Sequence, residues 1–323
     1  MYKILNSNGL GVAGKQNELI ELALTHGFNG VEVDMVDLVG RHDTLGKQFA
    51  CQFLQSAKID MGTFNLPIDL GASDEDYAAA TASLDTILDL ATTLNAKGCC
   101  IDIAPSNGLF SFQECFEKHS QRLQELSEKF TESNVKIGLG LRPSEGETAD
   151  GEFKFINTSE ELLKLVQSVN LPNVGICLDA LKWVNGGGNV EQLAEAGIGK
   201  VVTEVRLADV AEGDDPTART KLPGDTPNSF SVKLCKAIID SGVEIPVSVG
   251  TDLSTFARGN RDSIVGSISK QLDQLISGED PAELALAAEK AAAEEAAGEG
   301  EEAAADGEAA PAAETPVAAA VAE

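Results

Sequence analysis

Val201-Val202-Thr203-Glu204-Val205-Arg206-Leu207-Ala208-Asp209 is a β-prone apolar run in which Glu204 and Arg206 share one side. Two residues apart along a strand means the same face, so both charges point the same way. Leu139-Gly140-Leu141-Arg142-Pro143, Cys177-Leu178-Asp179 and Val247-Ser248-Val249-Gly250 follow the same plan: each is an apolar run that ends where a side chain can face a pocket. Working outward, strand-like runs recur near Lys3–Asn6, Gly30–Asp34, Asp60–Asn65, Gly98–Ile103, Lys136–Leu141, Val174–Leu178, Val201–Leu207 and Ile245–Val249. Between them the apolar spacing turns helical, as in Asn17 to Leu24 and Leu84 to Ala91, and Thr158-Ser159-Glu160-Glu161 is a helix-start signal. Eight strands alternating with helices predict a parallel sheet closed into a single (β/α)8 barrel, an α/β fold, over residues 1–276. An open doubly wound sheet is the competing architecture.

The 323 residues carry 24 Lys and Arg against 52 Asp and Glu, a formal net charge of −28. From Pro281 onward there are eleven acidic side chains and one lysine, so −10 lies in the tail and −18 in the preceding 280 residues. A chain this acidic repels phosphate backbones and anionic lipid, and neither nucleic acid nor a membrane is expected as a partner. Residues 277–323 are dominated by Ala and Glu and offer almost nothing large and apolar to bury, which predicts a disordered acidic tail after one solvated helical stretch. The tail reads either as a solubilising segment or as a docking segment for a basic partner. Cys51, Cys99, Cys100, Cys115, Cys177 and Cys235 have no Cys-x-x-Cys spacing and read as buried thiols of a reducing cytoplasm. No signal-peptide pattern opens the chain, no apolar run is long enough to span a bilayer, and no Gly-rich nucleotide fingerprint follows a strand. A cytoplasmic protein without a nucleotide cofactor is expected, its oligomeric state unknown.

Gly27-Phe28-Asn29-Gly30-Val31-Glu32-Val33, Leu90 to Gly98, Val174-Gly175-Ile176-Cys177-Leu178-Asp179 and Leu222-Pro223-Gly224-Asp225 occur in the order and spacing of one barrel family. Over residues 1–275 the chain resembles the xylose isomerase-like family, whose sugar phosphate isomerases and epimerases hold a divalent metal at the strand ends with Glu, Asp, His and Glu. Matched strand by strand, the first Glu falls on Arg142, the Asp on Asp179, the His on Arg206 and the last Glu on Gly250; a His that often follows the Asp falls on Lys182. The chain's three histidines, His26, His42 and His119, lie in segments that read as helix or loop. One carboxylate does not hold a divalent ion, so neither a metal nor any other cofactor is expected.

Three of these positions have gained a cation instead. Arg142, Lys182 and Arg206 either pair with Asp179, Glu204, Glu32 or Asp34 as an inert cluster, or replace the metal's charge and bind a sugar or sugar phosphate. In the second case Asp179, Lys182 and Glu204 are the candidate catalytic residues: a carboxylate base beside a carbonyl, with a cation for the enediolate. Arg142, Arg206 and Asn65 are the candidate substrate contacts. Trp183 is either an apolar wall for a sugar face or a core residue. Asp102 and Asn107 suit hydroxyl-rich ligands or cap loops, and Arg258-Gly259-Asn260-Arg261-Asp262 reads as a phosphate-binding loop or a solvated one. The resemblance implies a metal-independent isomerase/epimerase-like protein, or a catalytically silent barrel that binds a carbohydrate-type anion or a protein partner.

Overall fold

Residues 60–65 close the sheet on itself. Asp60–Met61 pairs in parallel with Gly30–Val31 on one side, and Phe64–Asn65 pairs in parallel with Gly98–Asp102 on the other. The computed structural model describes residues 1–142, 152–209, 222–250 and 260–292. Their strands in chain order are β1 (Tyr2–Leu5), β2 (Gly30–Val31), β3 (Asp60–Met61), β4 (Phe64–Asn65), β5 (Gly98–Asp102), β6 (Ser106–Asn107), β7 (Lys136–Gly140), β8 (Phe153–Lys154), β9 (Val174–Asp179), β10 (Val202–Leu207) and β11 (Pro246–Val249). The large sheet runs β3-β2-β1-β11-β10-β9-β7-β5-β4. Because its two ends are consecutive pieces of one stave, it forms a parallel barrel of eight staves, the closed architecture and not the open sheet. A two-stranded antiparallel ladder, β6 with β8, stands apart from it and has no counterpart in the sequence reading.

The helices are α1 (Gln16–Thr25), α2 (Met35–Leu45), α3 (Lys47–Ala57), α4 (Asp74–Thr81), α5 (Leu84–Thr93), α6 (Phe112–Glu132), α7 (Ser159–Val169), α8 (Ala180–Asn185), α9 (Val190–Ala196), α10 (Ile198–Val201), α11 (Phe230–Ser241) and α12 (Arg261–Ser277). Local chemistry starts several of them. Thr158 and Glu161 cap α7 reciprocally, Asp34 accepts from the Val36 and Asp37 amides at the start of α2, and Asp179 does the same for α8 through the Lys182 amide. The second and sixth staves therefore end in carboxylates that are also helix caps. Outward-facing strand residues such as Leu5, Ile101, Leu139, Leu178 and Val205 are fully buried against the helical layer.

Two compact units are present, Met1–Pro281 and Ala282–Glu323. Residues 277–281, placed in the tail by composition, lie in the first: Asp280 is buried and accepts the Asn228 amide at 2.8 Å. In the second, residues 282–292 are helical, and the rest of the expected tail lies outside the described residues. No helix among the described residues is long and apolar enough to cross a membrane.

The barrel interior closes over glycine on β7. A Cβ at Gly138 would fall 2.5 Å from Thr203 Oγ1 and 2.9 Å from Cys177 Cβ, so only a residue without a side chain lets β9 and β10 pack this closely over β7. Gly138→Ala should destabilise the barrel by about 2 kcal/mol through overpacking. Chemical denaturation of the two proteins checks this, and equal midpoints would contradict the packing described.

Candidate functional site

Glu204 and Arg206, two residues apart on β10, meet at the C-terminal mouth of the barrel. Arg206 Nε lies 3.1 Å from Glu204 Oε1. Its Nη2 lies 3.3 Å from Asn65 Oδ1, at the end of β4, and 3.5 Å from Glu32 Oε1, just past β2. Three staves thus meet at one guanidinium, and a fourth joins through Glu204, whose Oε2 accepts from the Cys177 thiol of β9 at 3.6 Å. The Glu204 side chain is 3% exposed and that of Arg206 15%. Burial pushes the Glu32 carboxyl up to about 8; the Arg206 charge opposes that shift and the Glu204 charge adds to it. Burial works against the Arg206 charge, but Cys177, Glu204 and Glu32 outweigh it and raise the guanidinium's pKa.

A second, more open cluster forms around Asp102 at the end of β5. Arg142 Nε is 3.2 Å from Asp102 Oδ2 and Lys182 Nζ is 3.9 Å from Asp102 Oδ1. Gly140, on the neighbouring strand, leaves the space Asp102 occupies: a Cβ there would collide with its Oδ1. Arg142 is 58% exposed and Lys182 31%, so both reach solvent while sharing one carboxylate. A cavity of about 380 Å³ opens here, lined by Asn65, Asp69, Cys100, Asp102 and Arg142 among others. Asp179 sits beside Arg206 in the β9–β10 register and accepts the Lys182 amide at 3.1 Å.

The structure therefore brings Arg142, Lys182, Arg206, Glu204, Asn65 and Asp179 to one end of the barrel. Trp183 is not with them. It is 1% exposed, its Nε1 donates to the Asn189 carbonyl, and Gly188 leaves room for its indole, so the residue belongs to the core. The direction of α8 turns it inward; a sequence cannot give that direction. Glu32 and Asp102 emerge as site residues that sequence reasoning names only as an ion-pair partner and a polar strand end. Asn107 accepts from the Leu109 and Phe110 amides and donates to the Gly71 carbonyl, the loop-capping role. Arg258 and Gly259 lie outside the described residues; Asn260 caps α12, and Arg261 is tied to Glu18 at 2.7 Å.

The residues do not fit a divalent ion. Arg142 and Arg206 hold positions where the resembling family has ligands, and a guanidinium donates hydrogen bonds but has no lone pair for a metal. His26 caps the end of α1, His42 lies in α2 and His119 in α6, none at the mouth. Among the described residues no group of three or more His, Cys, Asp or Glu is placed to hold a metal.

The xylose isomerase-like TIM barrel family matches residues 20–253. The chain belongs to that family. No curated protein matches it. Among solved structures, a xylose isomerase domain protein from Alicyclobacillus acidocaldarius aligns with a TM-score of 0.71 at 18% identity, covering 86% of this chain and 98% of that one. The IOLI protein with a binding zinc atom aligns at 0.68 and 19%, with 86% and 98% covered. D-psicose 3-epimerase from Clostridium cellulolyticum H10, solved with D-tagatose, aligns at 0.64 and 16%, with 84% and 97% covered. At these identities the likeness is one of fold.

Two measurements test the inner cluster. Arg206→Ala leaves Glu204 buried without its cation and should cost about 3–5 kcal/mol of stability; an unchanged denaturation midpoint would mean that the guanidinium does not carry this charge. The folded chain holds the Glu32 proton up to about pH 8, whereas an unfolded glutamate releases it near pH 4.5. The native state therefore binds more protons across that interval, and the contribution of this group, full below it, is lost as pH rises. Melting temperature should fall less steeply over that range in Glu32→Gln than in the wild-type protein, and identical slopes would contradict the burial of this carboxyl.

Proposed function

We propose that this chain is a sugar or sugar-phosphate isomerase/epimerase-like protein that works without a divalent ion. One observation carries the reading: two solvent-reaching cations, Arg142 and Lys182, converge on Asp102, which with Arg142 lines a cavity at the C-terminal mouth, the end at which such barrels do their chemistry. They hold a phosphate or carboxylate, Arg142 with its fork of N–H donors and Lys182 as a point charge. Asn65 serves a ligand hydroxyl. Arg206 keeps its positive charge under all ordinary conditions and is the electrophile for a ligand carbonyl.

The proton chemistry then runs as follows. Asp179 takes the proton from the carbon next to the carbonyl, and the released electron pair moves onto the carbonyl oxygen, where Arg206 stabilises the enediolate. For epimerisation Lys182 returns a proton to the opposite face of the same carbon and the carbonyl re-forms; for isomerisation it returns the proton to the former carbonyl carbon, while the adjacent hydroxyl passes its proton to the enediolate oxygen and becomes the new carbonyl. Exchange with solvent then carries the proton from Asp179 back to Lys182. Glu204, too enclosed to reach a ligand, holds Arg206 in place through Nε. The likeness to D-psicose 3-epimerase supports this reaction class.

A second reading, a catalytically silent barrel that binds a carbohydrate-type anion or a protein partner, is favoured by one observation. Arg206 already has two carboxylates on it, and neither Arg142 nor Gly250 supplies the carboxylate pair of the resembling family.

Titrating D-fructose 6-phosphate into the protein in EDTA separates these readings. Binding should weaken by about 2 kcal/mol in the Arg142→Ala, Lys182→Ala double variant, with the melting temperature unchanged. Proton exchange with solvent at the carbon beside the carbonyl, followed by NMR, supports the enzyme. Binding without exchange supports the silent barrel, and no binding to the wild-type protein overturns both.

A further inference from the structure

The ends of β1 and β2 border a cavity of about 610 Å³, larger than the cationic one and of different character. Ser7, Asn8, Glu32, Asp34, Arg41 and Phe53 are among its lining residues. The Glu32 side chain is 10% exposed, and among the described residues its buried Oε1 has no hydrogen-bond partner. The guanidinium Nη2 at 3.5 Å is too far for a good bond. An unsatisfied buried carboxyl oxygen is costly, and Glu32 is one of the residues that line the cleft, so its carboxyl gains a partner when a ligand hydroxyl enters beside it.

The charges around it select the ligand. From β10 come Arg206 and Glu204; next to Glu32 on its own stave is Asp34, followed by Asp37 and Arg41 of α2, and Lys15 precedes α1. Arg41 is engaged by Asp37 at 2.6 Å and Gln16 at 2.7 Å, and Asp34 by the amides it caps. With Glu32 protonated, the negative groups Glu204, Asp34 and Asp37 balance the cations Arg206, Arg41 and Lys15, so the cleft has no excess positive charge to hold a phosphate. Ser7 and Asn8 offer hydroxyl and amide groups, and Phe53, 48% exposed, offers an apolar ring. That is the chemistry of a neutral polyhydroxyl group.

We propose that this cleft is the subsite for the neutral, hydroxyl-bearing end of a sugar ligand, and that the Glu32 carboxyl donates a hydrogen bond to a ligand oxygen there. The inference rests on the sugar-binding function proposed above and adds an orientation to it. Arg206 touches both Glu32 and Asn65, so one guanidinium stands between the neutral cleft and the cationic cavity. A sugar phosphate lies with its phosphate toward Arg142 and Lys182 and its other end toward Glu32. Burial keeps the Glu32 carboxyl protonated up to about pH 8, as a donor must be.

The test uses the full chain and two probes, D-fructose and D-fructose 6-phosphate, with binding read by calorimetry or ligand-observed NMR. D-fructose should bind at neutral pH and weaken by about five-fold or more once pH exceeds 8, because the lost proton removes the donor. Glu32→Gln, which keeps an N–H donor in the same shape, should bind within about two-fold of wild type and lose that pH dependence. Phe53→Ala, at an exposed position that leaves the fold intact, should weaken D-fructose by about five-fold. Arg142→Ala should weaken only the phosphorylated probe. Wild-type-like D-fructose binding and pH dependence in both Glu32→Gln and Phe53→Ala overturns the subsite. Arg142-dependent binding of the phosphate without any D-fructose binding also overturns it, leaving the proposed function standing. Failure of the wild-type protein to bind either probe overturns both.

Discussion

One buried guanidinium governs the mouth of this barrel. Arg206 is held between Glu204, which water barely reaches, and Glu32, which keeps its proton because one cation does not fully balance two carboxylates in a site that excludes solvent. Coulomb attraction between Arg206 and Glu204 at about 3 Å in a poorly hydrated interior is large, but so is the cost of dehydrating the two charges. The cluster is therefore an expensive arrangement that any single-partner loss would unbalance. It also fixes geometry: a guanidinium tied at Nε and approached at Nη2 from two staves has little freedom to swing toward the helical layer.

The remaining charges follow from the barrel's register. Inward-facing side chains recur every second residue, so the end of each stave presents one side chain to the mouth. Arg206 stands beside Asp179, and Gly140 beside Asp102, in the parallel ladders. Because β7 carries glycine at Gly138 and Gly140, its neighbours Cys177 and Asp102 lean over it, which is how Asp102 comes to lie under both Arg142 and Lys182. In a chain of net charge −28, Arg142, Lys182 and Arg206 are gathered at one end of the barrel, each beside a carboxylate.

The eight staves are legible in the sequence because alternation and turn chemistry repeat at each one, and the convergence of Arg142, Asp179, Lys182 and Arg206 follows once that register is fixed. What is not legible depends on distances along the chain or on helix direction. Glu32 meets its partners only through closure of the sheet, with Arg206 174 residues later in number. Its oxygen, unpartnered among the described residues, and its neighbouring cleft have no local signature. Trp183 follows Lys182 directly, yet α8 turns one side chain to the mouth and the other to the core. The β6–β8 ladder is two residues long on each strand, too short for any periodicity to show.

The central claim is that fixed cations at the C-terminal mouth do here what a metal does in the resembling family. A crystal structure of the protein grown with D-fructose 6-phosphate and EDTA tests it most directly. The account predicts the phosphate within hydrogen-bond reach of Arg142 and Lys182, the carbonyl oxygen facing Arg206 and the far hydroxyls in the cleft beside Glu32. A sugar bound elsewhere, or a mouth in which Arg142 and Lys182 make no contact with the phosphate, would contradict it.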